Sequence, residues 1–207
     1  MIGQAFMKIG LFGGTFNPPH IGHTELALDF YENSNPDLLI IVPSFIPPHK
    51  AASSVAAFHR FNMAKLAFLV LGEQGINYFV SDYEISRNDV SYTINTVNHF
   101  ITNYNVSSVD LCIGSDMLLS FETWKNAEEL MKKCHIFSKA RHRDEMEKLS
   151  DFSSYLKKRY DANVTIMPGK VCDVSSTQIR SFSTSGHFSE IDARVAKYIK
   201  ANGLYIQ

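Results

Sequence analysis

Two histidines three residues apart, His20 and His23, stand in the segment GGTFNPPHIGH, residues 13–23. Imidazoles at that spacing share one face of a helix. Near the positive end of the helix dipole their pKa is lowered, and a bound polyphosphate raises it again. Such a pair can donate hydrogen bonds to phosphoryl oxygens whose charge grows during transfer. Ahead of them, Gly13, Gly14 and Thr15 allow a sharp turn and a close approach of phosphate to backbone N–H groups. Pro18 and Pro19 stiffen that turn, and Gly22 permits close packing or ligand approach. The segment is neither a Walker loop nor a GxGxxG dinucleotide fingerprint. Zinc is the weaker reading of the histidine spacing, since no obvious Cys, His or acidic set completes a site.

A second constellation, VSSTQIRS, spans Val174–Ser181. Ser175, Ser176 and Thr177 are good N-cap residues and predict a capped helix. The same hydroxyl-rich helix start, with Arg180 one turn along, is also suited to an anion.

These residues need a scaffold. Apolar runs at 7–12, 38–44, 77–83, 109–116 and 134–140 read as strands, most nearly continuous, as expected of parallel strands buried on both faces. Helical spacing fills the stretches between them: TELALDFYEN, FHRFNMAKLAFLVLGE, SYTINTVNHFITNYN and TWKNAEELMKKC. ANVTIMPG adds a short strand, and SSTQIRSFSTSG and SEIDARVAKYIKANGLY close the chain as helices, the last stopping at Gly203. The alternation predicts an α/β fold, a doubly wound parallel sheet with helices on both faces in a single domain. Ligands of such sheets bind beyond the carboxyl ends of the strands, where strand order reverses. GGTFNPPHIGH follows the first strand and so falls at that edge.

Composition narrows the partners. The 207 residues suit one well-buried domain. A net charge of -1 argues against a dedicated nucleic-acid or polyanion binder. Cys112, Cys134 and Cys172 are widely spaced with no CxxC pattern, which suits reduced thiols in a cytoplasmic protein. No run approaches the roughly 18 apolar residues of a membrane span, and the first residues do not form a signal peptide.

The pattern Gly14-x-Phe16-x-Pro18-x-His20-x-Gly22-His23, followed by Ser175-Ser176-Thr177-x-Ile179-Arg180, resembles the signature of the nucleotidyltransferase superfamily. With IPPHK (46–50), SYTINT (91–96), GSDMLLSFETW (114–124) and YIKANGLY (198–205), the chain is similar to bacterial nicotinate-nucleotide adenylyltransferases from about Met7 to Tyr205. The resemblance implies a Rossmann-like nucleotidyltransferase domain over 7–207 that includes the C-terminal helical segment 175–203. Its substrates would be ATP and nicotinate mononucleotide, its products nicotinate adenine dinucleotide and pyrophosphate.

By the same resemblance His20 and His23 are the catalytic groups, and Gly14, Thr15 and Phe16 belong with them to the ATP site. Ser176, Thr177 and Arg180 hold the β- and γ-phosphates, and Gly114 and Asp116 sit by the ribose. Asn17, Lys50, Tyr92, Thr93 and Trp124 belong to the nicotinate mononucleotide side, with Trp124 stacked on the pyridine ring. Mg²⁺ is expected on the substrate phosphates, with no metal ligand from the protein. The chain departs from the family pattern at three places: Asn17 where Asp is frequent, Lys125 where a tyrosine often follows the tryptophan, and KARHRD in place of an R-P-G segment. Lys139, Arg141 and Arg143 are the candidate polyphosphate contacts there.

The acceptor brings its own nucleophile, because a phosphate monoester has a second pKa near about 6. The expected mechanism is direct in-line attack on the α-phosphorus, driven by positioning and charge stabilisation. Nicotinamide mononucleotide and phosphopantetheine stand as alternative acceptors. A non-catalytic nucleotide-binding regulator is an alternative of another class, and a dehydrogenase is disfavoured by the missing glycine fingerprint.

Overall fold

Successive side chains of a strand point to opposite faces of its sheet, so a continuous apolar run must feed a core on each side. The computed structural model describes residues 6–48, 55–142, 144–169, 174–182 and 189–205. Its strands are β1 (Met7–Gly14), β2 (Leu38–Pro43), β3 (Tyr78–Val80), β4 (Val106–Gly114), β5 (Cys134–Lys139) and β6 (Asn163–Ile166). They form one sheet in the order β3-β2-β1-β4-β5-β6, every pair parallel.

Ile9, Leu11, Ile40, Val42, Leu111, Ile113 and Ile136 enter one core. Their strand neighbours Phe12, Leu39, Ile41, Cys112 and Phe137 enter the other. The first core is closed by α5 (Thr93–Asn103), α6 (Ser115–Leu119), α7 (Ala127–Lys133) and α8 (Glu145–Tyr160) through Phe100, Leu118, Leu130 and Leu149. The second is closed by α1 (Ile21–Ser34), α2 (Ala57–Ala67), α3 (Leu69–Glu73), α9 (Ser176–Phe182) and α10 (Ala193–Ala201) through Phe30, Met63, Leu71, Ile179 and Val195. A short α4 (Tyr83–Ser86) follows β3. The doubly wound α/β expectation therefore holds.

Three local features differ from the sequence pattern. The helical stretch 58–73 breaks at Phe68, whose φ is -85 and ψ 4. The break turns this ring into the second core, against Phe12 and Phe16 at centroid distances of 6.1 and 5.3 Å. Helix α7 starts only at Ala127, after Asn126 in the left-handed region at φ 56, so Trp124 lies in an extended turn and does not open the helix. Helix α8, 16 residues long, fills the stretch between the fifth and sixth strands, where apolar spacing alone predicts no helix. Of its side chains only Leu149 and Leu156 are fully buried, a thin apolar stripe on a polar helix. Its signal lies in charge: Glu145 and Glu147 in the first turn, and Lys157, Lys158 and Arg159 in the last, complement the helix dipole.

Candidate active site

The strand order reverses between β1 and β4, and a cleft opens at their carboxyl ends. It encloses about 1230 Å³, open mouth included. Gly13, Gly14, Thr15 and His23 line one wall; Gly114, Asp116 and Arg141 line another; Tyr92, Thr93, Trp124 and Lys125 line the far end.

The turn leaving β1 is shaped by an aromatic fold-back. Phe16 has φ 49 and is 1% exposed, and its ring lies so close over Gly14 that a Cβ there would meet it at 2.7 Å. The Asn17–Pro18 peptide is cis. His20 then serves as N-cap of α1, and its backbone N–H donates to Nδ1 of His23 at 3.2 Å. The imidazole thus takes the part a Glu or Gln side chain plays in a capping box. With Nδ1 accepting, neutral His23 carries its proton on Nε2. His23 is held further by the Phe16 ring edge at 5.1 Å and by the His20 ring at 3.8 Å between centroids.

His20 is 7% exposed, and its Nδ1 has no hydrogen-bond partner among the described residues. Its pKa falls from 6.5 to about 4, chiefly through burial and secondly through the Arg141 charge. The expected lowering is present, but desolvation rather than the helix field is its main cause.

The C-terminal constellation braces the turn from behind. Ser176 Oγ donates to the Pro18 carbonyl at 2.9 Å. Arg180 donates from Nη1 to the Asn17 carbonyl at 2.8 Å and from Nη2 to Thr177 Oγ1 at 3.0 Å. Tyr205 OH donates to Asn17 Oδ1 at 2.7 Å. Ser175 and Gln178 exchange hydrogen bonds, Gln178 N–H to Ser175 Oγ at 3.2 Å and Ser175 N–H to Gln178 Oε1 at 3.0 Å, so the capped-helix reading of this segment holds as well. Phe16, Asn17, His20, Ser176, Thr177 and Arg180 are thus gathered at one end of the cleft, although the cleft wall itself is formed by others.

On the opposite side, the Asp116 carboxylate lies 3.6 Å from Arg141 and folds over Gly114. Of the three cationic candidates after β5, Arg141 lines the cleft, whereas Lys139 is paired with Asp29 of α1. Arg143 and Lys50 lie outside the described residues. At the far end Lys125 sits over the Tyr92 ring, 4.2 Å from its centroid, and Trp124 packs on Phe121 at 4.8 Å.

Two site residues, Glu84 and Arg60, have no signal in the sequence, and a third, Tyr205, is marked only as the end of YIKANGLY. Glu84 lines the cleft beside Ser91 and Thr96; Thr96 Oγ1 donates to it at 2.5 Å, and burial raises its pKa. Arg60 is 1% exposed beneath the turn. Tyr205 lies almost at the chain end. Glu84 and Arg60 carry no local motif, and only long-range contacts bring all three to the site. Among the described residues no group of three or more His, Cys, Asp or Glu side chains could hold a metal ion. No helix among them is long and apolar enough to cross a membrane.

The family model described as cytidylyltransferase-like matches residues 11–182. A protein of Caldicellulosiruptor bescii named "probable nicotinate-nucleotide adenylyltransferase" is 36% identical over 207 residues, covering 96% of this chain and 99% of its own. Relatives of the same name from Carboxydothermus hydrogenoformans and Neisseria meningitidis are 35% and 33% identical over 98% and 96% of this chain. A solved nicotinic acid mononucleotide adenylyltransferase of Plasmodium falciparum, complexed with NaAD, shares the fold at a TM-score of 0.70 with 21% identity, over 96% of this chain and 97% of that one.

Proposed function

Because the chain belongs to the nicotinate-nucleotide adenylyltransferase family, we propose that it joins nicotinate mononucleotide to the adenylyl group of ATP, releasing pyrophosphate and forming nicotinate adenine dinucleotide. One observation carries the mechanism: His20 N–H donates to His23 Nδ1 at 3.2 Å, which leaves Nε2–H as the donor of a cleft-lining imidazole beside Thr15.

ATP lies with its α-phosphate against His23 and the backbone N–H groups of Thr15 and Phe16, and with its ribose at Gly114 and Asp116. His23 Nε2–H and those N–H groups stabilise the charge that develops on the α-phosphoryl oxygens. The departing pyrophosphate is held by Arg141 and by the end of the cleft that His20, Ser176, Thr177 and Arg180 shape. The acceptor ring stacks near Trp124, and its carboxylate meets the N-terminus of α5 at Tyr92 and Thr93, where helix N–H groups favour an anion. Asn17 and Lys50 complete the acceptor side. The acceptor phosphate is already the nucleophile, so no protein base is required, and attack on the α-phosphorus expels pyrophosphate in line.

Mg²⁺ is a substrate-borne cofactor in this reading, neutralising charge on the phosphates. Mg²⁺ dehydrates reluctantly, so phosphate oxygens and water would supply most of its ligands in the cleft that Asp116 lines. Residues 7–207 act as one domain, a reading supported by the bonds from Ser176, Arg180 and Tyr205 to the turn after β1. The enzyme works in the cytoplasm and acts on neither nucleic acid nor membrane. Buried free thiols at Cys112 and Cys134, the latter pushed up to about 12 by burial, support a reducing compartment.

The test is pyrophosphate release with ATP and Mg²⁺, comparing nicotinate mononucleotide with nicotinamide mononucleotide. Preference for the nicotinate form is expected. Preference for the amide overturns the acceptor assignment, and silence with both overturns the reaction.

A further inference from the structure

Among the described residues Arg60 is the largest side chain buried below 2% exposure, and its hydrogen bonds there run to backbone carbonyls alone. Nη1 donates to the Thr15 carbonyl at 2.8 Å, Nη2 to the Phe45 carbonyl at 2.8 Å, and Nε more weakly to Val55 at 3.4 Å. None of the ion pairs among the described residues includes Arg60. Burial lowers its pKa, and the ionisable group facing it, the Tyr205 phenol that donates to Asn17 of the site turn, is itself pushed up by burial and stays neutral. A buried cation lacking a counter-ion is unfavourable unless something offsets its desolvation, so stability alone does not call for a charge at this position.

The bond to Thr15 has a geometric consequence. The peptide joining Thr15 to Phe16 is trans, since the one cis bond among the described residues is Asn17–Pro18. In a trans peptide the C=O and the following N–H point in opposite directions. Arg60 draws the Thr15 carbonyl inward, to the buried side, and thereby turns the Phe16 N–H outward, to the side where Thr15 lines the cleft. The same guanidinium draws in the Phe45 carbonyl. Phe45 is in turn tied to the acceptor end: its N–H donates to Ser91 Oγ at 2.8 Å, and the Ser91 N–H donates to the Ile46 carbonyl at 2.9 Å. Tyr92 and Thr93 follow directly in the chain.

We propose that Arg60 is a positioning residue for adenylyl transfer: one planar guanidinium fixes the turn after β1 with the Phe16 N–H facing the α-phosphate, and sets its spacing from the acceptor wall at Ser91–Thr93. A bound polyphosphate across the turn also supplies the anion that the buried charge lacks. This inference rests on the adenylyl-transfer reading above. A fork with two parallel donors is what holding two carbonyls demands; an ammonium offers no such geometry.

The experiment compares wild type with Arg60→Met, Arg60→Gln and Arg60→Lys in the full-length protein. It measures kcat, the KM for each substrate, the dissociation constant for ATP and the unfolding midpoint. Loss of an interaction that matters in the transition state lowers kcat more than it raises KM. The neutral variants are expected to lose about a hundredfold in kcat, with KM for nicotinate mononucleotide within about threefold, and Arg60→Lys to recover about tenfold of the loss. A merely structural role predicts a lower unfolding midpoint with kcat per folded molecule unchanged, and that result overturns the proposal. If neither neutral variant folds, Arg60→Lys decides, and wild-type kcat there rejects the assignment. If wild type binds ATP but forms no pyrophosphate with either acceptor, the functional reading has failed separately. Arg60 is then judged by ATP affinity in Arg60→Gln, where a change under about twofold overturns the positioning role.

Discussion

The carboxylate of Asp116 lies directly over the backbone of Gly114: a Cβ at 114 would stand 2.7 Å from Oδ1 and 3.3 Å from Nη2 of Arg141. A Cβ on the last residue of β4 would therefore press on a cleft-lining carboxylate, although its φ of -67 is open to any residue. Gly114→Ala should displace the ends of two half-exposed side chains while leaving the sheet intact. We expect KM for ATP to rise about tenfold while stability changes by less than about 1 kcal/mol, because flexible side-chain ends can move. Steady-state kinetics beside a thermal melt checks both halves.

His23→Ala removes the donor at Nε2 together with the acceptor for the His20 N–H. Loss of one charge-stabilising donor costs about 10²- to 10³-fold in turnover, and loss of the cap costs about 1 kcal/mol of stability. A folded variant with near-normal pyrophosphate release would refute the role of His23.

His20 makes a pH prediction. Its folded pKa of about 4 lies below the 6.5 of the free side chain. Between those values the unfolded chain binds the proton and the folded one does not, so stability declines as pH falls from 6.5 and levels off below about 4. The full effect is on the order of 3 kcal/mol. Urea melts across this range should show a shallower decline in His20→Gln than in wild type, and parallel curves would contradict the burial argument.

Lys125 stands over Tyr92 at the acceptor end of the cleft, where it adds positive charge beside the expected nicotinate carboxylate. The side chain is exposed, so its contribution is of the order of 1 kcal/mol. Lys125→Gln should reduce the preference for nicotinate over nicotinamide mononucleotide about fivefold, read as a ratio of kcat/KM values, with little change in stability. An unchanged ratio would leave the helix N–H groups as the whole of the charge selectivity.

Tyr205 and Asn17 share a 2.7 Å hydrogen bond across the length of the chain. Tyr205→Phe strands the Asn17 oxygen and should cost about 1 kcal/mol. Because both residues act through one contact, Tyr205→Phe combined with Asn17→Ala should cost less than the sum of the single changes. A double-mutant cycle by chemical denaturation measures the coupling.

Where a residue's role depends on its neighbours along the chain, the amino-acid sequence makes it legible. The runs LLIIVP and MKIGLF suit doubly buried strands, and their alternation with helices implies the parallel sheet and its switch point. The turn after β1 announces itself because glycines, prolines and paired histidines crowd into one short stretch. Where the role depends on partners distant in the chain, sequence is silent. Arg60 is one cation on a helix until packing buries it under Thr15 and Phe45, 45 and 15 residues away. Lys139 and Arg141 are equal candidates until Asp29 claims the first and the cleft takes the second. Helix α8 is obscured because two leucines suffice to seat it once a sheet face waits for them. Local sequence determined the sheet, the turn and the paired histidines, since each follows from neighbouring residues. Tertiary structure alone decided which charges line the cleft and which peptides are turned toward it, because burial and long-range hydrogen bonds exist only once the chain has closed.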